Sequence, residues 1–165
     1  NRKEFAFEKW NDFDEPLFEK IVDVCLGKTR EFHHKIVGYD KAPSAVRKSL
    51  DNIKNANLSE YIHVERKNFF DTEKYNEGPL HMVFNPPYGE RLSLDMEDFY
   101  SSLGDTLKQS YPGTEAWFIT SNLEALKYVG LRPSRKIKVY NSRLESRLVK
   151  YVMYEGSKKA KFQNT

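Results

Sequence analysis

The chain has 165 residues and a mass of 19.4 kDa, which is enough for one domain with its own core. Apolar residues make up 39% and charged residues 31% of it, a balance that excludes an intrinsically disordered protein. No apolar run approaches the roughly 20 residues that cross a bilayer, so the sequence argues against a membrane-spanning role. The net charge of +3 permits nucleic-acid binding without requiring it.

The first residues of the sequence and its one cysteine indicate the cellular compartment. No apolar segment of the signal-peptide kind follows Asn1-Arg2-Lys3-Glu4. Cys25 is a single cysteine, so it forms no internal disulfide and offers no Cys/His metal cluster. We therefore expect a reducing compartment, most simply the cytoplasm.

Short apolar runs alternate with helical patterns along the chain. Asp14 and Pro16 are typical of a helix start, and Gly27 of its end. The apolar face of this helix is predicted to consist of Leu17, Phe18, Ile21, Val22 and Cys25. The predicted strands are 35–40, 61–65, 80–84 and 116–120. Three later helices are also predicted. The apolar face of the first consists of Val46, Leu50 and Ile53, and that of the second of Met96, Phe99, Tyr100, Leu103 and Leu107; the third is a short helix at 123–128.

This alternation predicts an α/β fold, a Rossmann-like open sheet of parallel strands with helices on both faces. The last part of the chain departs from the alternation. Two β-rich runs, 136–140 and 147–154, are joined by 141–146, which is too short for a crossover helix. They predict a C-terminal antiparallel hairpin.

Polar residues follow two of the predicted strands, where ligands bind in open α/β sheets. Asp40 can accept hydrogen bonds from both hydroxyls of a ribose, or it can simply cap the next helix. Asn68 and Phe69 can hold the edge and the face of an adenine, or they can form a turn and fill the core.

Asn85-Pro86-Pro87-Tyr88 follows a third strand and points to a specific chemistry. The two prolines end the strand ladder and rigidify the segment, so that the Asn85 amide oxygen and the Pro86 carbonyl can face outward as acceptors. These two acceptors suit the two hydrogens of an exocyclic amine, and the Tyr88 ring suits a stacked base. Positioning would be the main catalytic gain. The alternative interpretation is an ordinary rigid turn.

Three other groups of residues give weaker signals. His33-His34 lies in a turn with no metal-ligand spacing around it. Glu90 and Arg91 can shape a base pocket or form a surface ion pair. A basic group can contact RNA phosphates or be a solvated strand flank; it consists of Arg132, Arg135, Lys136 and Lys138.

The motif and two further segments carry a resemblance to a known family. Asn85-Pro86-Pro87-Tyr88 resembles the catalytic motif of class I S-adenosylmethionine-dependent amino-methyltransferases. Its extension to 92, with 5–10 (FAFEKW) and 140–145 (YNSRLE), resembles the THUMP-associated RNA methylases that make N2-methylguanine. These include the RlmL-type enzymes of 23S ribosomal RNA, and members are also described as N6-adenine-specific methylases. The similarity extends from Phe5 to about Lys159.

The resemblance implies S-adenosylmethionine as cofactor and a role for each site residue. Asp40 would bind the cofactor ribose, Asn68 and Phe69 the cofactor adenine. Family members usually carry Asp at the position of Asn68, but an amide oxygen can still accept from the adenine amine. Asn85 would contact both cofactor and target amine, with Pro86 and Pro87 holding it. Tyr88, together with Glu90 and Arg91, would bind the substrate base.

One expected element does not occur in the sequence. The glycine-rich cofactor loop and first strand of the family would precede Phe5, and no closely spaced glycine pair is present in the 165 residues. We therefore expect residues 1–159 to be the C-terminal portion of a methyltransferase catalytic domain, followed by a basic tail at 160–165. A gap in the sheet between the first and third strands is also expected, as is poor cofactor binding by this piece alone. An upstream THUMP-type RNA-binding domain is expected in the full-length protein.

The favoured hypothesis is methylation of guanine N2 in RNA, most directly ribosomal, without a metal. N6-adenine methylation of DNA uses the same four-residue motif, and glutamine methylation of a protein presents a similar amide. A non-catalytic RNA-binding fragment is a fourth possibility. The 5–10 and 140–145 segments favour the RNA enzymes over the first two alternatives.

Overall fold

A computed structural model describes residues 4–87 and 95–155 of the chain. The chain divides into two compact units, an amino-terminal unit (Asn1–Phe69) and a carboxy-terminal unit (Phe70–Thr165). Each unit contains its own sheet.

The amino-terminal unit begins with the predicted first helix. A short 3-10 helix, Ala6–Lys9, precedes helix α1, Glu15–Gly27. The Asp14 carboxylate accepts a hydrogen bond of 2.9 Å from the Leu17 amide, which confirms the predicted start. The helix itself is therefore confirmed, whereas most of its apolar face is not buried. Leu17 and Ile21 are 52% and 51% exposed.

A βαβ unit follows. Strands β1 (Ile36–Asp40) and β2 (Ile62–Arg66) pair in parallel, and helix α2 (Pro43–Asn55) connects them and packs on both. Val46 and Ile53 are half-buried, whereas Leu50 is exposed. The parallel connection that the alternating pattern predicted is confirmed.

The carboxy-terminal unit contains a four-stranded sheet in the order β3-β4-β6-β5. Strand β3 (Leu80–Phe84) is parallel to β4 (Thr114–Thr120), and β6 (Leu144–Val152) is antiparallel to both β4 and β5 (Arg135–Asn141). Among the described residues, β1 and β2 form a sheet of their own. Because β3, β4 and β5 run in one direction, they end at the same side of the sheet, here called the carboxyl edge.

The predicted C-terminal hairpin is confirmed, but its turn is shorter than expected. The strands continue to Asn141 and resume at Leu144, so that Ser142 and Arg143 alone form the turn. Ser142 has a positive φ of 57°, which lets the chain reverse within two residues.

Helix α3 (Met96–Ser110) builds the core of this unit. The Asp95 side chain accepts hydrogen bonds from the amides of Glu97 and Asp98 and so caps the helix. Its predicted apolar face is largely buried against the sheet, with Tyr100, Leu103 and Leu107 at 0–1% exposure. The sheet side of the core consists of Ala116, Phe118, Val149 and Tyr151.

The short helix predicted at 123–128 is confirmed, as a 3-10 helix with the bounds Ala125–Val129. Gly130, in the left-handed conformation with a φ of 62°, ends it after five residues. This short helix packs on α3 at Gly104, where the two backbones touch.

No helix in the described ranges 4–87 and 95–155 has the length and apolar character needed to cross a membrane.

The contact at Gly104 makes a stability prediction. A Cβ atom at residue 104 would lie 1.8 Å from the Val129 carbonyl oxygen, so Gly104→Ala forces α3 and the 3-10 helix apart. We expect the free energy of unfolding to fall by about 2–3 kcal/mol in urea titrations.

Gly27→Ala is the matched control, because a Cβ at residue 27 meets nothing within 4 Å. It should leave the free energy of unfolding within about 1 kcal/mol of wild type, or raise it slightly. Equal effects of the two substitutions would contradict the close backbone approach.

Candidate functional site

Asp40 is the last residue of β1 and its side chain forms a tight local turn. Its Oδ1 accepts a hydrogen bond of 2.7 Å from the Ala42 amide, two residues further on. The N-cap of α2 is Ala42, which makes no side-chain capping bond. Asp40 is thus not the helix cap that the alternative interpretation predicted. It is exposed, with one carboxylate oxygen fixed by the backbone.

The end of β2 lies beside Asp40. The Lys67 amide donates a 3.1 Å hydrogen bond to the Asp40 carbonyl, which extends the pairing one residue past β2. Asn68 and Phe69 follow directly and are half-buried, and Phe69 begins a 3-10 helix, Phe69–Asp71. Within the amino-terminal unit, Asn68 and Phe69 therefore follow the strand end that pairs with Asp40.

Positive charge surrounds this strand end. The Arg66 Nε donates to the Lys41 carbonyl at 3.3 Å. The Lys67 Nζ lies 2.8 Å from a Glu65 carboxylate oxygen and 4.9 Å from the centre of the Tyr39 ring. These contacts hold the flanking side chains around the backbone turn at Asp40.

Asn85, Pro86 and Pro87 continue β3 at the carboxyl edge of the other sheet. Side chains alternate along β3, with Phe84 half-buried and Val83 78% exposed. The alternation carries past the strand, since Asn85 is exposed, Pro86 is buried and Pro87 is half-buried. Pro86 thus anchors the segment in the protein while the Asn85 side chain remains accessible to solvent.

Tyr88, Glu90 and Arg91 lie outside the described residues. Their roles stay predictions from the sequence.

A hydrogen-bond network orders the neighbouring strand end and was missed by the sequence interpretation. The Tyr100 hydroxyl lies 2.7 Å from the Thr120 Oγ1, at the end of β4. The same Oγ1 accepts from the Asn122 amide at 3.1 Å, and the Asn122 Oδ1 accepts from the Ala125 amide at 3.0 Å. Helix α3 is thereby connected to the loop after β4. The signal available in the sequence was two polar groups at core positions, Tyr100 and Thr120.

Burial changes the acidity of two tyrosines in this core. Loss of solvent raises the pKa of Tyr100, and the hydrogen bond with Thr120 opposes that increase. Burial, with a smaller contribution from Tyr100, raises the pKa of Tyr151 to about 12. The Tyr151 ring stacks on Phe118 at 5.5 Å, and within the described part of the chain its hydroxyl has no hydrogen-bond partner.

The four basic residues predicted as an RNA contact do not form one surface. Arg132 and Lys136 line a groove of about 570 Å³ beside the 3-10 helix Ala125–Val129. Arg135 precedes Lys136 in β5, so the two side chains lie on opposite faces of the strand. Lys138 forms an ion pair of 2.5 Å with Glu145 across the hairpin, and that carboxylate raises the pKa of the Lys138 ammonium.

His33 lies in an exposed segment, where it is 3.8 Å from a Glu31 carboxylate oxygen. Across residues 4–87 and 95–155 the structure contains no group of three or more His, Cys, Asp or Glu side chains placed to hold a metal ion.

Two solved structures with a similar fold are described as a methyltransferase and a methylase. A protein described as a methyltransferase, SMU.472 in complex with SAH, superposes with a TM-score of 0.77 at 22% identity, over 93% of this chain and 41% of that one. A protein described as a possible methylase from Clostridium difficile 630 gives a TM-score of 0.77 at 26% identity, over 96% of this chain and 42% of that one. The fold is that of a Rossmann-like, class I methyltransferase, as the sequence predicted.

The family can be stated more narrowly. Residues 6–150 match the family described as UPF0020: RMKL-like, methyltransferase domain, and the chain belongs to that family. It is 35% identical over 156 residues to the ribosomal RNA large subunit methyltransferase K/L of Allochromatium vinosum. This match covers 91% of the chain and 21% of that relative, so the chain spans about a fifth of its length. The resemblance drawn from 85–92, 5–10 and 140–145 is confirmed.

The buried tyrosines predict a loss of stability at high pH. Because the pKa of Tyr151 is raised from 10 to about 12 in the fold, its neutral form contributes stability below pH 10 that is lost between pH 10 and 12. Urea titrations should show the free energy of unfolding falling by up to ~3 kcal/mol across that range.

Tyr151→Phe should reduce this fall while leaving the free energy of unfolding at pH 7 within about 1 kcal/mol of wild type, since the hydroxyl that it removes has no partner among residues 4–87 and 95–155. An identical alkaline loss in both proteins would show that Tyr151 does not carry it.

Proposed function

We propose that this chain forms part of an S-adenosylmethionine-dependent methyltransferase that acts on the exocyclic amine of a base in RNA. The target best supported is guanine N2 of ribosomal RNA. The observation that carries the proposal is the placement of Asn85: an exposed carboxamide directly after a strand, followed by a buried proline, in a chain of a methyltransferase-domain family.

The cofactor part of the site is proposed to lie at the ends of β1 and β2. Asp40 fits a ribose, because its carboxylate is exposed and the Ala42 amide fixes one of its oxygens, so that it is oriented before the ligand binds. Asn68 is proposed to accept from the adenine amine, and Phe69 to pack on the adenine ring. When bound, S-adenosylmethionine supplies an electrophilic methyl group on a sulfonium.

The substrate part is proposed to consist of the segment after β3. The Asn85 amide oxygen and the Pro86 carbonyl accept the two hydrogens of the target amine, and this directs the nitrogen lone pair toward the methyl group. Pro86 and Pro87 keep the acceptors in place. Methyl transfer to an amine held in this way would form a nitrogen–carbon bond as the carbon–sulfur bond broke, and the proton released by the amine would pass to solvent. A base must leave its helix to reach this position.

The residues outside the described ranges complete the proposal. Tyr88 is proposed to stack on the target base, with Glu90 and Arg91 shaping the pocket around it. Residues 1–159 are proposed to be the C-terminal portion of the catalytic domain, with a basic tail at 160–165. The full-length protein is proposed to be cytoplasmic and to contain an upstream THUMP-type RNA-binding domain. The ribosomal RNA target is supported by relatives that are named for methylation of ribosomal RNA.

The role of Asn85 is tested by replacing its acceptor. In the full-length protein, Asn85→Ala should abolish methyl transfer to large-subunit ribosomal RNA while S-adenosylmethionine affinity stays within about threefold, since one positioning acceptor is lost. Asn85→Asp, which keeps an acceptor oxygen, should retain more activity than Asn85→Ala.

Asn76→Ala, at another exposed asparagine of the same unit, should behave as wild type. A parallel loss of cofactor affinity and turnover in Asn85→Ala would indicate that Asn85 is structural.

The role of Asp40 is tested by separating its charge from its turn. Asp40→Ala should weaken S-adenosylmethionine binding by roughly 1.5–3 kcal/mol, measured by calorimetry, because a charge-assisted hydrogen bond is lost. Asp40→Asn keeps an oxygen for the Ala42 amide, so it should weaken binding without lowering the melting temperature.

Asp51→Asn provides the control, an exposed carboxylate on helix α2 of the same unit. Unchanged cofactor affinity in both Asp40 variants would leave Asp40 as a turn residue only.

A further inference from the structure

The β5–β6 hairpin extends well past the carboxyl edge of its sheet. Phe84, the last residue of β3, lies in a row with Phe118 of β4, Val149 of β6 and Lys136 of β5. Strand β5 continues five residues beyond this row, to Asn141. At about 3.4 Å per residue, the turn therefore lies roughly 17 Å beyond the end of β3.

The hairpin also lies to one side of Asn85. Three strand spacings of about 4.8 Å separate β3 from β5, or roughly 14 Å. The hairpin therefore extends past the ends of β3 and β4 on one side of the sheet. A nucleic-acid chain that placed one base at Asn85 would pass this hairpin within a few nucleotides.

The side chains at the tip are exposed and include an aromatic ring and a cation. Tyr140 is 62% exposed, Leu144 is 48% exposed, and Arg143 is exposed in the turn. An exposed tyrosine ring can stack on a nucleic-acid base, and an arginine close to it can bind a phosphate. This is the segment 140–145 that carried part of the family resemblance and that the proposed catalytic chemistry does not use.

An ion-pair network stiffens the hairpin below the tip. Glu145 lies opposite Tyr140 and pairs with Lys138 and with Arg147, at 2.5 and 2.7 Å. The hydrogen bond from Lys138, followed by that from Arg147, lowers the pKa of Glu145. The Lys138 Nζ also lies 5.3 Å from the centre of the Tyr140 ring. With Glu145 neutralised by two cations, the tip presents a net positive surface that suits a polyanion.

We propose that Tyr140 and Arg143 bind the RNA strand next to the target nucleotide, the ring stacking on a flanking base and the guanidinium pairing with a phosphate. This proposal rests on the proposed function. It assigns the hairpin tip to substrate binding and leaves cofactor binding and methyl transfer to other residues.

The test compares each tip residue with a matched exposed residue outside the tip. The variants Tyr140→Ala and Arg143→Ala are paired with Tyr154→Ala and Arg47→Ala. Tyr154 is also 62% exposed and follows β6 at the opposite edge of the same sheet, and Arg47 is exposed on helix α2. The full-length proteins are assayed for methyl transfer to unmethylated large-subunit ribosomal RNA and for S-adenosylmethionine affinity by calorimetry.

We expect each tip variant to raise the KM for RNA by about tenfold, the lower part of the range measured for loss of one stacked base. Cofactor affinity and kcat at saturating RNA should stay within about twofold, and the two control variants should match wild type. Tyr140→Phe should keep the wild-type KM, because stacking uses the ring and not the hydroxyl.

The outcomes separate the two proposals. If wild type methylates no RNA, the proposed function fails. If wild type is active and the tip variants match their controls, only the hairpin proposal is overturned. A fall in kcat without a change in KM, or a loss of melting temperature that accounts for the whole effect, would also overturn it.

Discussion

The parallel pairing of β3 with β4 is the constraint on which the proposed substrate site depends. It places Phe84 beside the fully buried Phe118, and the two rings lie 5.1 Å apart. With Phe84 directed into the core, side-chain alternation leaves Asn85 exposed and returns Pro86 to the interior. A proline there cannot donate to a neighbouring strand, so the ladder ends at this point. The accessibility of a single carboxamide thus follows from the packing of the residues on either side of it.

The polar groups discussed above lie at one edge of the four-stranded sheet. The carboxyl edge carries Asn85 after β3, the Tyr100–Thr120 hydrogen bond at the end of β4, and the hairpin tip after β5. The core below them is built from stacked aromatic rings, including Phe118 on Tyr151. Because these rings are buried and pack against one another, they support the strand ends that carry the polar groups.

Much of the fold could be predicted from local patterns, and the failures have physical causes. The βαβ connection and helix α3 follow from apolar periodicity, which burial enforces. The turn at Ser142 and Arg143 lacks the Asn-Gly type of signal that marks two-residue hairpins, so its length was overestimated. The short helix after β4 begins two residues later than predicted, because its start depends on the side-chain hydrogen bonds of Thr120 and Asn122.

The candidate site was predictable in its composition but not in its local geometry. Asp40, Asn68 and Phe69 could be chosen because strand ends carry ligands in α/β sheets. That the Asp40 carboxylate folds back on the Ala42 amide, instead of capping α2, depends on the path of the chain after β1. The Tyr100–Thr120 bond was missed because a tyrosine at an amphipathic helix position reads as another core residue, and its hydroxyl partner is 20 residues away.

The close approach of Gly104 to the backbone of Val129 has an evolutionary consequence. Any larger residue at 104 would have to be accompanied by a shift of the segment after β4. We therefore expect glycine to be retained at position 104 in homologues whose short helix keeps its length. Homologues with another residue at 104 are expected to carry insertions or deletions in the segment after β4.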